Sequence, residues 1–94
     1  MPDVRLPLIY RVHAVRRMAE RDIREEDVAH VVFSGKIIED YPQDTPYPSS
    51  LMLGWRKGRP IHVVSAATEH EIIIITVYEP DPAQWQPGFE KRKP

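Results

Sequence analysis

His13 and Arg17 stand four residues apart, close enough to be neighbours on one face if the segment is helical. Arg16 and Arg21 belong to the same stretch and extend a basic surface by a turn, with Glu20 among them. An imidazole has a reference pKa of about 6.5 and exchanges protons near neutrality. A guanidinium cannot act as a base, but its planar fork suits phosphate. Metal-independent RNA cleavage needs three groups: a base for the 2′-hydroxyl, cations for the spreading phosphate charge and an acid for the leaving 5′-oxygen. His62 and Tyr78 form a second candidate pair, a tyrosine hydroxyl that orients an imidazole or donates to phosphate. The set that fits this chemistry is His13, Arg17, His62 and Tyr78 as catalytic residues. Arg16, Arg21 and Arg56 are the residues expected to contact RNA if this is the chemistry. Each has a plainer alternative. His13 and Arg17 can pack the helix or bind the acidic segment 39–44, and His62 can be a packed histidine bonded to a main-chain carbonyl. His30 and His70 read as surface residues.

Other chemistries find little support. There is no cysteine, so no disulfide, zinc knuckle or thiol nucleophile. No two histidines sit at i, i+4 on one helix and no carboxylate cluster has a ligand spacing, so no metal or other cofactor is expected. The four glycines are scattered and make no phosphate loop. Ser49, Ser50 and Ser65 have no nucleophile motif around them. Trp55, Trp85 and Tyr47 could stack on bases, but their simpler use is in a core or a lid.

The chain has 94 residues, room for one domain over 1–94. Thirteen Lys and Arg against fourteen Asp and Glu give a formal charge of −1, so bulk charge does not hold it on nucleic acid or membrane. The balance hides an asymmetry. Residues 1–24 carry six Arg against three acids, and residues 25–48 carry six acids against Lys36. The apolar run Ile72–Tyr78 is far shorter than the roughly 20 residues that span a bilayer. Met1–Arg5 has no leader pattern, and the expected compartment is the cytoplasm. The ordered part is expected over about residues 8–85. The tail 86–94, ending in Glu90-Lys91-Arg92-Lys93, is expected to be flexible.

These side chains need elements to position them. Val12–Arg21 has helical periodicity, with Ala14, Val15, Met18 and Ala19 on one arc. Glu25–Phe33 reads as a second helix, with acids in its first turn and Gly35 as a stop. The period then changes to two. Lys36–Tyr41, Leu51–Lys57, Ile61–Ala67 and Glu71–Tyr78 read as strands, and Leu8–Tyr10 as a short additional one. Pro42, Pro46 and Pro48 make the connection at 41–48 a stiff extended loop. If Glu69-His70 is the last hairpin loop, His62 faces Val77 and Ile61 faces Tyr78. The expected fold is α+β: two helices on one face of a three- to four-stranded antiparallel sheet.

Four segments resemble a small bacterial family: His13–Val28, Asp44–Ser49, Arg59–Val64 and Thr76–Pro82. The first follows the family's "HAxxRMxERgIsxxdV" opening, except that Asp22 stands where the pattern has Gly and Arg24 where it has a Ser or Thr cap. The family is a domain of unknown function, DUF4258, and is similar to the RelE/ParE and BrnT toxins of type II toxin–antitoxin modules. The resemblance implies a RelE/BrnT-like fold, endoribonuclease activity and an antitoxin partner, in some members a zinc-finger protein. The leading expectation is therefore a ribonuclease toxin. The alternative is a non-catalytic protein-binding module or dimeric regulator, with the acidic segment and Pro-rich loop as its partner surface and an exposed strand edge as a homodimer contact.

Overall fold

The structure is a computed structural model and describes residues 6–94. The leader reading of Met1–Arg5 lies outside the described residues. A short strand β1, Leu8–Tyr10, runs into helix α1, Val12–Arg21, and then into helix α2, Glu25–Ser34. Four strands follow: β2, Lys36–Tyr41; β3, Ser49–Arg56; β4, Arg59–Ala67; and β5, Ile72–Tyr78.

The two helices are separated by a turn that depends on a left-handed residue. Asp22 has φ 52° and its neighbour's N–H closes the helix on the Met18 carbonyl. Glycine adopts this conformation without strain, and Asp tolerates it better than most residues. Arg59 reaches across from β4 and donates to the carbonyls of Arg21 and Asp22 at 2.7 and 3.1 Å. It thereby satisfies acceptors that the end of a helix leaves open. At the start of α2, Asp27 accepts the Arg24 N–H at 3.0 Å and the Arg56 Nε–H at 3.0 Å. One carboxylate thus caps the helix and ties it to the end of β3.

The sheet order is β1-β5-β4-β3-β2. β1 pairs parallel with β5, and every other neighbour pair is antiparallel. This corrects the expected three- to four-stranded antiparallel sheet to a five-stranded mixed one. The difference lies at the N-terminus, where the chain enters along the outer edge of β5 and crosses over through the helices. The β3–β4 hairpin turns on Lys57-Gly58, both with positive φ, the two-residue geometry that matches strand twist.

Alternation along the strands assigns two faces. On the first, Ile61, Val63, Ile74 and Val77 pack with Ala14 and Met18 of α1 and Val28 and Val31 of α2. α1 lies over β5, and α2 over β3 and β4. Gly54 lets α2 approach the sheet: a Cβ there would stand 2.7 Å from the Val31 Cγ2 atom. On the second face lie Leu51, Leu53, His62 and Ala66, all buried. A C-terminal strap, residues 80–94, closes over His62 on this face and meets Trp55 at its edge. Trp85 in the strap is 3% exposed, and main-chain bonds link Gln86 to Lys91 and Lys93 to Gln84. Where a flexible tail is expected at 86–94, the structure has a hydrogen-bonded third layer. The physical reason is that the second face also carries apolar side chains, Leu51 and Leu53 among them, and needs a cover.

Candidate functional site

His62 comes from the middle of the sheet, and its position reflects a bulge. β5 has one extra residue, Ile75, between the pairs Val64↔Thr76 and Ser65↔Ile74. The expected register holds near the hairpin and shifts by one beyond the bulge, so His62 faces Tyr78 rather than Val77. The Tyr78 hydroxyl is 3.2 Å from His62 Nδ1, and the rings meet edge to face at 5.2 Å. His62 Nε2 is 2.9 Å from the main-chain oxygen of Phe89. A carbonyl only accepts, so Nε2 carries the proton and Nδ1 accepts from Tyr78. Trp85 closes over the imidazole at 4.5 Å, and the side chain of His62 is fully buried.

Burial is the main force on the titration of this pair. It lowers the His62 pKa against the pull of the Phe89 bond, and Arg92 lowers it further. Burial also raises the pKa of the Tyr78 hydroxyl. Both groups are therefore neutral at pH 7. Around them, Arg92 donates to both Glu39 oxygens at 3.0 and 3.2 Å and lies 4.6 Å over the Trp85 ring. Tyr41 donates to Glu39, and Lys36 pairs with Glu90 at 2.6 Å. With both imidazole nitrogens engaged, His62 has no free position for a substrate proton.

His13 lies elsewhere. It is exposed at the start of α1 and lines an open cavity of about 420 Å³ with Arg11. Ala66, Ile73 and Ile75 of the second sheet face form the floor, and Pro46 and Tyr47 of the Pro-rich loop form a wall. Neither His62 nor Tyr78 lines this cavity. Ala66 is four residues along β4 from His62, about 13 Å at strand rise. Arg17 is on the α1 surface, 3.7 Å from Glu20, and Arg16 and Arg21 are exposed on the same helix. Arg56 is held by Asp27 beneath the α2 terminus. The structure thus joins His62 to Tyr78, and His13 to Arg11, but does not bring the two histidines to one cavity. Among the described residues, no three His, Cys, Asp or Glu side chains group to hold a metal.

The Pro-rich loop 42–48 separates two hollows. Asp44, Pro46 and Tyr47 face the His13 cavity. Pro48 and Ser49 border a second, of about 380 Å³, on the helix face, together with Asp40, Ile37, Met52 and Ile72. Ile37 is 53% exposed there. Arg11 is absent from the set of residues the sequence singles out, and the tail residues Phe89 and Arg92 were not placed beside His62. The available signal for the strap was the presence of Trp85 and Phe89, large apolar side chains in a segment otherwise read as frayed.

An α+β domain with a mixed five-stranded sheet and no helix, among the described residues, long and apolar enough to cross a membrane is what these elements define. A model of the domain of unknown function DUF4258 matches residues 10–79, and the chain belongs to that family. No curated protein and no solved structure matches it. The strap lies beyond the matched segment.

Proposed function

We propose that this chain is a non-catalytic protein-binding module whose partner surface is the acidic segment 39–44 together with the Pro-rich loop. The observation that carries the reading is the position of that loop, which walls both hollows and sets exposed Tyr47 close to exposed Ile37 and Asp40 of β2. Apolar anchors next to unpaired charge are the ordinary make-up of a docking surface. The partner in this reading is a small basic protein, and an antitoxin-like protein encoded alongside fits the family's resemblance to type II toxins. The test is co-purification of the chain with the product of the adjacent gene. Retention by the wild type and loss in Asp40→Lys supports the reading, and equal retention by both removes it.

A second reading keeps the ribonuclease toxin, with its centre moved to α1. It is favoured by the open cavity that His13 and Arg11 share, with Arg17 and Arg21 one and two turns further along α1. In this reading His13 moves the proton and the arginines hold phosphate. Purified protein incubated with RNA decides it: cleavage lost in His13→Ala and Arg17→Ala supports catalysis. Equal cleavage by all three proteins, or none by any, excludes it.

A further inference from the structure

The His13 cavity combines an apolar floor with a cationic rim. Its floor is apolar, built by Ala66, Ile73 and Ile75. Its rim has two groups that donate to anions, Arg11 and His13, whose side chains have no hydrogen-bond or ion-pair partner among the described residues. The first turn of α1 contains no acid to neutralise them. Tyr47, 44% exposed, stands opposite on the loop wall.

We infer that this cavity binds a carboxylate attached to an apolar body, the C-terminal residue of a partner chain. The inference rests on the protein-binding reading and names what the partner inserts. The apolar side chain lies on the isoleucine floor and the terminal carboxylate meets the Arg11 fork, with the His13 N–H beside it. Charge selects a carboxylate over a phosphate. Arg11 supplies one fixed positive charge, while Asp44, itself held by the Ser49 hydroxyl, places a negative charge on the opposite wall. One guanidinium fork matches a single carboxylate, and the repulsion from Asp44 is twice as large for a phosphate dianion as for a monoanion.

The experiment is an NMR titration of the full chain with the peptide acetyl-Ala-Ala-Ala-Leu, as free acid and as C-terminal amide, and with adenosine 5′-monophosphate. The expected result is movement of the His13, Tyr47 and Ile73 resonances by the free acid, at roughly tenfold higher affinity than the amide. Arg11→Met, an exposed position, should abolish the difference while the spectrum stays dispersed. Equal binding of acid and amide, tighter binding of the nucleotide, or shifts confined to other residues would overturn the inference. Co-purification with the adjacent gene product is scored separately in Arg11→Met. A partner retained there, with no carboxylate preference, sinks the inference alone; a partner lost only in Asp40→Lys leaves the broader reading standing.

Discussion

His62 on β4 and Phe89 in the strap are joined by a 2.9 Å hydrogen bond from the imidazole Nε2 to the main-chain oxygen. That bond fixes the imidazole tautomer and orders the strap against the sheet. With Trp85 on the imidazole and Arg92 on Glu39, it makes residues 80–94 part of the folded core.

Loss of the strap's anchors should therefore cost stability in a definite order. Trp85→Ala removes a buried indole and should cost about 3–5 kcal/mol. His62→Ala leaves a cavity and an unpaired Phe89 carbonyl, and should cost about 2–4 kcal/mol. Arg92→Ala breaks a half-exposed ion pair and a cation–π contact, and should cost about 1 kcal/mol. Urea unfolding midpoints measure all three. A Trp85→Ala loss no larger than that of Arg92→Ala would show that the strap is not core.

Stability should fall with acid in two stages. Burial lowers the His62 pKa in the fold, so between the folded and unfolded values the unfolded chain binds more protons. Stability is full above the unfolded value of about 6.5 and declines as pH drops below it. Glu39 is lowered chiefly by its bonds to Arg92, against its burial. Partial burial of Asp27 opposes ionisation, but the Arg24 N–H and Arg56 outweigh that and lower its pKa too. These carboxylates stabilise the fold above about pH 4, and that contribution disappears as they protonate. Thermal melts from pH 8 to pH 3 should show both declines. In His62→Gln the first should be absent and the second retained.

The helices, β2, β4 and β5 were legible in the sequence because their apolar periods are regular and Gly, Pro and acidic residues mark their ends. The parallel β1–β5 pairing was not, since three residues hold too little pattern to fix a direction. The His62–Tyr78 pairing was anticipated one residue out of register, because a single-residue bulge at Ile75 leaves no mark in a run of four isoleucines. The strap was missed because nothing local to Pro80–Pro94 is periodic. Its order comes from a sheet face whose own alternation showed Leu51, Leu53 and His62 needing cover. The candidate site was split for the same reason: the helix face and the strand face were each readable, but not the edge of the sheet between them.

Asp22 offers a test of the α1–α2 turn. Its φ of 52° is strained for a residue with a Cβ and relaxed for glycine. Its structural bonds are main-chain ones: the carbonyl accepts from Arg59, and Asp22→Gly keeps it. The variant should be more stable by about 0.5–1 kcal/mol, seen as a rise in melting temperature. A fall would mean that the Asp22 side chain contributes more than its conformation costs.

Gly54 tests the opposite case, a glycine required by space. A methyl group there would lie 2.7 Å from Val31 Cγ2 and 3.1 Å from Val31 Cα, so α2 would have to lift from β3. Gly54→Ala should destabilise by about 1–3 kcal/mol. The double variant Gly54→Ala/Val31→Ala should recover part of that loss, because it removes the side chain that the methyl group meets. No recovery would locate the strain in the backbone of β3 instead.

His13 and Arg17 should behave unlike all of these. Both are exposed, His13 has no partner among the described residues, and the 3.7 Å pair of Arg17 with Glu20 joins two exposed side chains on one helix. Such surface pairs contribute little to folding. His13→Ala and Arg17→Ala should melt within about 2 °C of the wild type. That matters for function, because a loss of partner binding or of RNA cleavage in either variant then reports on the α1 surface and not on a damaged fold. A large fall in melting temperature for His13→Ala would instead assign the imidazole a packing role. It would also remove His13 from the ribonuclease reading and from the carboxylate cavity.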